Sequence, residues 1–178
     1  MSRQFWSETL AWATSDGTAV GNTTTETVVF PNVTIPGNYL QDGRTLRLRV
    51  FGKYSTTGTP TLTFKVRWGG VTGTVVATTA AITTPSSVTN ALFDIELLLT
   101  TRSNGSTGTV MANGEVTLHT GSAGSPTDAA FTAGGQTAPA TATLDLTADT
   151  ALSVTATWGT ASASNTLTGV NYIIEALN

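Results

Sequence analysis

The run Thr45-Leu46-Arg47-Leu48-Arg49-Val50-Phe51 alternates without a break. Leu46, Leu48 and Val50 point one way; Arg47, Arg49 and Phe51 point the other. That period of two marks a strand with one buried face. A second run follows, Thr61-Leu62-Thr63-Phe64-Lys65-Val66-Arg67-Trp68, with Leu62, Phe64, Val66 and Trp68 inward and Thr61, Thr63, Lys65 and Arg67 outward. Between them lies Ser55-Thr56-Thr57-Gly58-Thr59-Pro60, with Gly for positive φ and Pro at the start of a strand. The two runs are predicted to form a hairpin.

The same pattern continues on both sides. Residues 71–83 read as an extended pair or one bent strand, broken at Thr84-Pro85-Ser86-Ser87. In 91–101, Phe93, Ile95, Leu97 and Leu99 alternate against Leu92, Asp94, Glu96 and Leu98, and Ser103-Asn104-Gly105-Ser106 is a hairpin turn of the Asn-Gly kind. Residues 107–120 form the return strand, with a kink expected near Asn113-Gly114, Val116 and Leu118 inward, and Glu115, Thr117 and His119 outward. The Gly/Ala/Ser/Thr stretch 121–139 reads as a long connection between sheets. Strands are predicted at 141–147, 152–158 and 167–177, the last with Val170, Tyr172 and Ile174 inward, and an early one near 26–34.

Composition agrees with the pattern. Of 178 residues, 39 are Thr and 18 Gly, against two Lys. Thr is β-branched and suits pleated strands, while the helix-favouring Lys, Glu, Gln and Leu are sparse. The class is all-β. Eight or nine strands in one domain need two packed sheets, because one open sheet would leave an apolar face bare. Three architectures fit: a jelly roll, an immunoglobulin-like sandwich and an up-and-down barrel. The long connection at 121–139 disfavours a pure meander, and no Cys–Trp–Cys signature is present. The expectation is a two-sheet antiparallel sandwich, jelly-roll-like, spanning 26–178, preceded by an N-terminal arm or edge segment at 1–25.

Several function classes are excluded or disfavoured. With no Cys there are no disulfides, no thiolate chemistry and no Cys-ligated zinc. A net charge of −3 argues against a nucleic-acid partner, which needs a basic stripe. No run of 18 apolar residues exists to span a membrane. The start, Met1-Ser2-Arg3-Gln4-Phe5-Trp6-Ser7-Glu8, has an acidic residue where a signal peptide needs an apolar stretch, so use without Sec export is expected. Only 11% of residues are charged, a surface suited to repeated subunit contacts.

Candidate chemistry is thin. His119 is the sole imidazole, and no Gly-x-Ser-x-Gly elbow supplies a nucleophile. Asp94 and Glu96 share a strand face but no cleft is indicated, and Asp145, Asp149 and Asp16 read as turn or edge acids. No Asp-x-Asp-x-Asp-Gly loop occurs, and Ala133-Gly134-Gly135 lacks the strand–loop–helix context for phosphate. No enzyme, cofactor or metal site is expected. Three matches to the glycosylation sequon (Asn22, Asn32, Asn104) read as chance. Trp68 and Trp158 fall on inward phases. Trp6 and Trp12 lie in the leading segment, where they can anchor the arm against the domain or a neighbour, or offer a sugar platform; Phe5 stands beside them in the arm. Arg47 and Arg49, Lys65 and Arg67, and Asp94 and Glu96 give charged outer faces whose opposite signs can pair across strands. Phe5, Trp6, Trp12, Arg47 and Arg49 are the candidate interface residues.

Three stretches carry a resemblance: Thr34-Ile35-Pro36-Gly37-Asn38-Tyr39-Leu40-Gln41-Asp42-Gly43-Arg44 continuing through residue 62, Thr107-Gly108-Thr109-Val110-Met111-Ala112, and Ala161-Ser162-Ala163-Ser164-Asn165-Thr166-Leu167. From about residue 28 to the end, the chain resembles a family of tailed-bacteriophage virion proteins with a jelly-roll-like domain. The shared motifs are strands and turns, so no functional residue carries over. The resemblance implies a virion component. Its first implied role is capsid decoration, as a homotrimer on the outer surface of the head that bridges copies of the major capsid protein. The alternative is a receptor- or carbohydrate-binding module of a tail or head fibre.

Overall fold

In the computed structural model, residues 7–120, 126–133 and 139–177 are described. All the regular structure among them is β: β1 (Glu8–Trp12), β2 (Val20–Gly21), β3 (Thr27–Val28), β4 (Val33–Ile35), β5 (Thr45–Ser55), β6 (Thr61–Trp68), β7 (Thr74–Thr78), β8 (Ile82–Thr83), β9 (Ala91–Ser103), β10 (Gly108–Leu118), β11 (Thr127–Ala133), β12 (Ala142–Leu144), β13 (Thr150–Trp158) and β14 (Thr166–Ala176). The expectation of eight or nine strands is corrected to fourteen among the described residues. The extra ones are mostly pieces of two or three residues, too short to show alternation. The early strand expected at 26–34 is one such case, split into β3 and β4 around Phe30 and Pro31.

Every pairing is antiparallel, and the main path runs β1-β14-β5-β9-β10-β11-β7-β6-β13-β3. The path folds back on itself into two layers, and β11 belongs to both. Its residues Thr127 to Phe131 pair with Leu118 to Gly114 of β10, whereas Thr132 and Ala133 pair with Thr78 and Ala77 of β7. The stretch 121–139 is therefore more than a connection; it holds a strand that joins the layers. The eight main strands nest: β5 pairs with β14, β6 with β13, β7 with β11, and β9 with β10.

The predicted hairpin between 45–51 and 61–68 does not form. β5 is flanked by β14 and β9, and β6 by β13, β7 and the short β8. The connector carries the chain from the sheet that holds β5 to the one that holds β6. Its polar backbone groups are taken up by other loops: Thr56 N–H donates to the Val88 carbonyl and Thr57 N–H to Asn165 Oδ1.

The core lies between the layers. Phe64 of β6 and Phe93 of β9 meet there with ring centroids 5.7 Å apart. Leu46, Leu48, Phe64, Phe93, Leu97 and Trp158 are fully buried, each contributing roughly 1.5–3 kcal/mol over an exposed side chain. Trp68 and Trp158 are inward, as their phase predicts. Trp68 Nε1 donates to the Asp145 carbonyl and Trp158 Nε1 to that of Val20, both at 3.0 Å. Val170 is a correction: it is 39% exposed because the register shifts between Gly169 and Asn171. That bulge moves the inward positions from odd-numbered Leu167 to even-numbered Ile174 and Ala176. No register shift accompanies the kink expected at Asn113-Gly114. The β9–β10 ladder runs straight through it and shifts instead at Thr109/Val110. No helix among the described residues is long and apolar enough to cross a membrane.

Candidate functional site

The outer face of the layer β1-β14-β5-β9-β10-β11 carries most of the candidate residues. Register places them in straight rows, because directly opposed residues share a face. One row reads Trp12, Ile173, Arg49, Glu96, Glu115, Ala130 across six strands. Five interstrand spacings of about 4.8 Å make it about 24 Å long. A neighbouring row holds Asn171, Phe51, Asp94, Thr117 and Asp128, and another Glu175, Arg47, Leu98 and Asn113.

The arginines are committed to ion pairs. Arg47 donates from Nε and Nη2 to Glu175 Oε2 at 3.0 and 2.7 Å. Arg49 lies 3.7 Å from Glu96 and stacks 5.6 Å above the Phe51 ring. The expected cross-strand pairing of opposite charges thus occurs for both. Lys65 and Arg67, on the other layer, turn to Glu26, in the segment just before β3. Phe5 and Trp6 lie outside the described residues. Trp12 ends the edge strand β1 and is 59% exposed, so one of the two leading tryptophans is available to a ligand or a partner.

At the far end of the long row, β9, β10 and β11 form a shallow, open groove of about 570 Å³ lined by Glu96, Leu98, Asn113, Glu115, Asp128 and Phe131, among others. Gly114 also lines it, at a point where the strands run so close that a Cβ would overlap the Glu96 carbonyl oxygen. The small Ala129 and Ala130 of β11 form the opposite side. Glu96 and Glu115 face each other directly across the ladder, an arrangement that costs stability. Among the described residues, no cation lies within ion-pair distance of Glu115 or Asp128. The groove thus offers acceptor oxygens and an amide beside exposed, apolar Leu98, a lining suited to a ligand rich in hydroxyl groups.

His119 follows β10 at one corner of this face, with Nε2 3.7 Å from Asp94 Oδ1, beyond hydrogen-bonding reach. Its carbonyl accepts a 2.6 Å bond from Tyr54, whose burial pushes the phenol up to about 12. Asp145 and Asp149 act as turn acids. Asp145 accepts from Thr147 N–H and Oγ1, which lower its pKa, and Asp149 accepts from Gly37 N–H. Asp16 pairs with Lys53 at 3.6 Å. No group of three or more His, Asp or Glu among the described residues could hold a metal ion. Sequence reading missed the groove because it missed β11, and it missed Glu26 because a lone Glu in a Thr-rich segment carries no pattern.

No known protein family matches the chain, and no curated protein matches it. Among solved structures it is similar to the CBM2 module of the evolved Dit of Lactobacillus casei BL23 phage J-1, at 12% identity and a TM-score of 0.38, covering 99% of this chain and 98% of that one.

Proposed function

We propose that the protein is a carbohydrate- or receptor-binding module of a tailed-phage particle, built on a jelly-roll-like sandwich and acting without turnover. The phage assignment rests on the sequence resemblance. The jelly-roll reading is supported by the nested strand pairing. The binding reading rests on the single row that links exposed Trp12 to the acceptor-lined groove at Glu96 and Glu115. An indole stacks on the apolar face of a sugar ring, and carboxylates and Asn113 accept or donate at its hydroxyls.

A glycan array probed with the purified protein tests this. Saturable binding is expected, weakened about tenfold or more by Trp12→Ala and by Glu115→Gln, a loss of about 1.4 kcal/mol. No saturable binding to any host or model glycan overturns it.

The capsid-decoration reading, with a homotrimer seated on the major capsid protein, keeps one specific support. β1 is an edge strand with Trp12 exposed beside it, a place where another subunit can add a strand. Light scattering that finds a trimer, together with binding to purified phage heads, would favour that reading over the glycan one.

A further inference from the structure

The chain contains two Asn-Gly pairs, Asn104-Gly105 and Asn113-Gly114, which share the same intrinsic chemistry but sit in different backbones. In such a pair the glycine amide nitrogen, once deprotonated, can attack the asparagine Cγ. The new N–Cγ bond closes a succinimide ring and the side-chain nitrogen leaves as ammonia. Water then opens the ring to aspartate or isoaspartate. One water is consumed and one ammonia released, with no oxidation or reduction. The step needs the nucleophilic nitrogen near Cγ and a backbone free to rotate into the ring.

At Asn104 the first requirement is met. Gly105 N–H donates to Asn104 Oδ1 at 2.7 Å. A carbon–oxygen bond of about 1.23 Å then places Cγ within about 4 Å of that nitrogen, close to a near-attack distance. The pair lies in the β9–β10 turn, outside both strands, and Gly105 has φ of 115°. Gly114, by contrast, is paired on both sides, with Leu97 of β9 and Phe131 of β11. Its peptide cannot turn toward the Asn113 side chain without breaking two ladders.

We propose that Asn104 is a site of spontaneous, fold-directed deamidation and that Asn113 is protected. The product matters to the turn. Asn104 N–H donates to Asp42 Oδ1 at 2.7 Å, so a carboxylate at 104 brings like charge next to Asp42. Isoaspartate also adds a methylene to the main chain. The Gly105 carbonyl accepts from Gly108 N–H and Leu146 N–H, both at 3.1 Å, and the longer chain displaces it. The modification loosens the turn that ties β9, β10 and the segment after β12 together.

Incubation of the folded protein at mildly alkaline pH, followed by peptide mapping by mass spectrometry, tests the proposal. The Asn104 peptide is expected to convert about tenfold or more faster than the Asn113 peptide, the ratio that a barrier difference of about 1.4 kcal/mol yields. In concentrated denaturant the two rates are expected to converge. Equal rates in the folded protein overturn the proposal. So does a ratio that persists in denaturant, because protection would then not come from the fold. Asn104→Ser is expected to abolish the fast conversion while leaving the Asn113 peptide unchanged; persistence of the fast conversion elsewhere in that peptide overturns the assignment to Asn104.

Discussion

Glu26 gathers donors from three strand residues. Arg67 reaches it at 2.8 Å, Lys65 at 3.1 Å and Thr155 at 2.6 Å. Burial pushes the carboxyl upward, but hydrogen bonds from Arg67, Thr155 and Lys65 outweigh it and hold the pKa at about 2 against an ordinary 4.5. The folded value lies below the unfolded one. The resulting stabilisation is therefore full above about pH 4.5 and disappears as pH falls toward 2. With 16% of the side chain exposed, it is of order 2 kcal/mol. Glu26→Gln is expected to destabilise by about 2–4 kcal/mol at pH 7, because it leaves Arg67, only 14% exposed, without its counter-charge. Urea titrations at pH 7 and near pH 2 should show the gap between wild type and variant closing in acid. A gap of equal size at both pH values would contradict the assignment. Nothing in the sequence pointed to Glu26, since its partners lie at least 39 positions away. The arginines were legible, because alternation alone puts Arg47 and Arg49 on an outer face.

Among the elements, legibility followed the strength of alternation. β9 was readable over 91–101, since Phe93, Ile95, Leu97 and Leu99 repeat with no interruption, and only its last two residues, up to Ser103, were left out. β11 was not, because Thr127-Asp128-Ala129-Ala130-Phe131-Thr132-Ala133 holds one large apolar residue and its place comes from partners on both edges. The partner of β5 was misread for a related reason. Alternation fixes which face is buried but not which strand lies alongside, and β14, more than a hundred residues on, won over β6. Gly114 is the element-scale position most open to test. Gly114→Ala is expected to cost about 1–3 kcal/mol, because the added methyl meets the backbone of Glu96 and not a mobile side chain. Thermal melts measure this, and a melting temperature equal to wild type would show that the ladder yields there at no cost.

At the scale of the whole molecule, the nested pairing makes the late strands β11, β13 and β14 partners of the early β7, β6 and β5. β14 lies between β5 and β1 and also carries β2. Truncation before Thr166 should therefore strip β5 of a ladder, leave β1 and β2 unpaired, and uncover Leu46, Leu48 and Val50. The expected outcome is loss of cooperative unfolding by circular dichroism and rapid proteolysis. A truncated chain that still melts sharply would show that the two layers do not depend on each other. Pairing of this kind also implies slow folding, in milliseconds to seconds, because the loops must close before the contacts form.

The sharing of β11 between layers has a mechanical meaning. The molecule resembles a book whose spine is a shared strand, while at the opposite margin the covers meet through side chains and through the chain that passes from β2 to β3. At that margin Phe30, Val33, Leu152 and Val154 meet Leu48, Val50, Tyr172 and Ile174 around a small apolar crevice, and Phe30 and Tyr172 lie 4.6 Å apart. A pull that separates the covers therefore meets apolar contacts on one side and the ladder of Thr132 and Ala133 on the other.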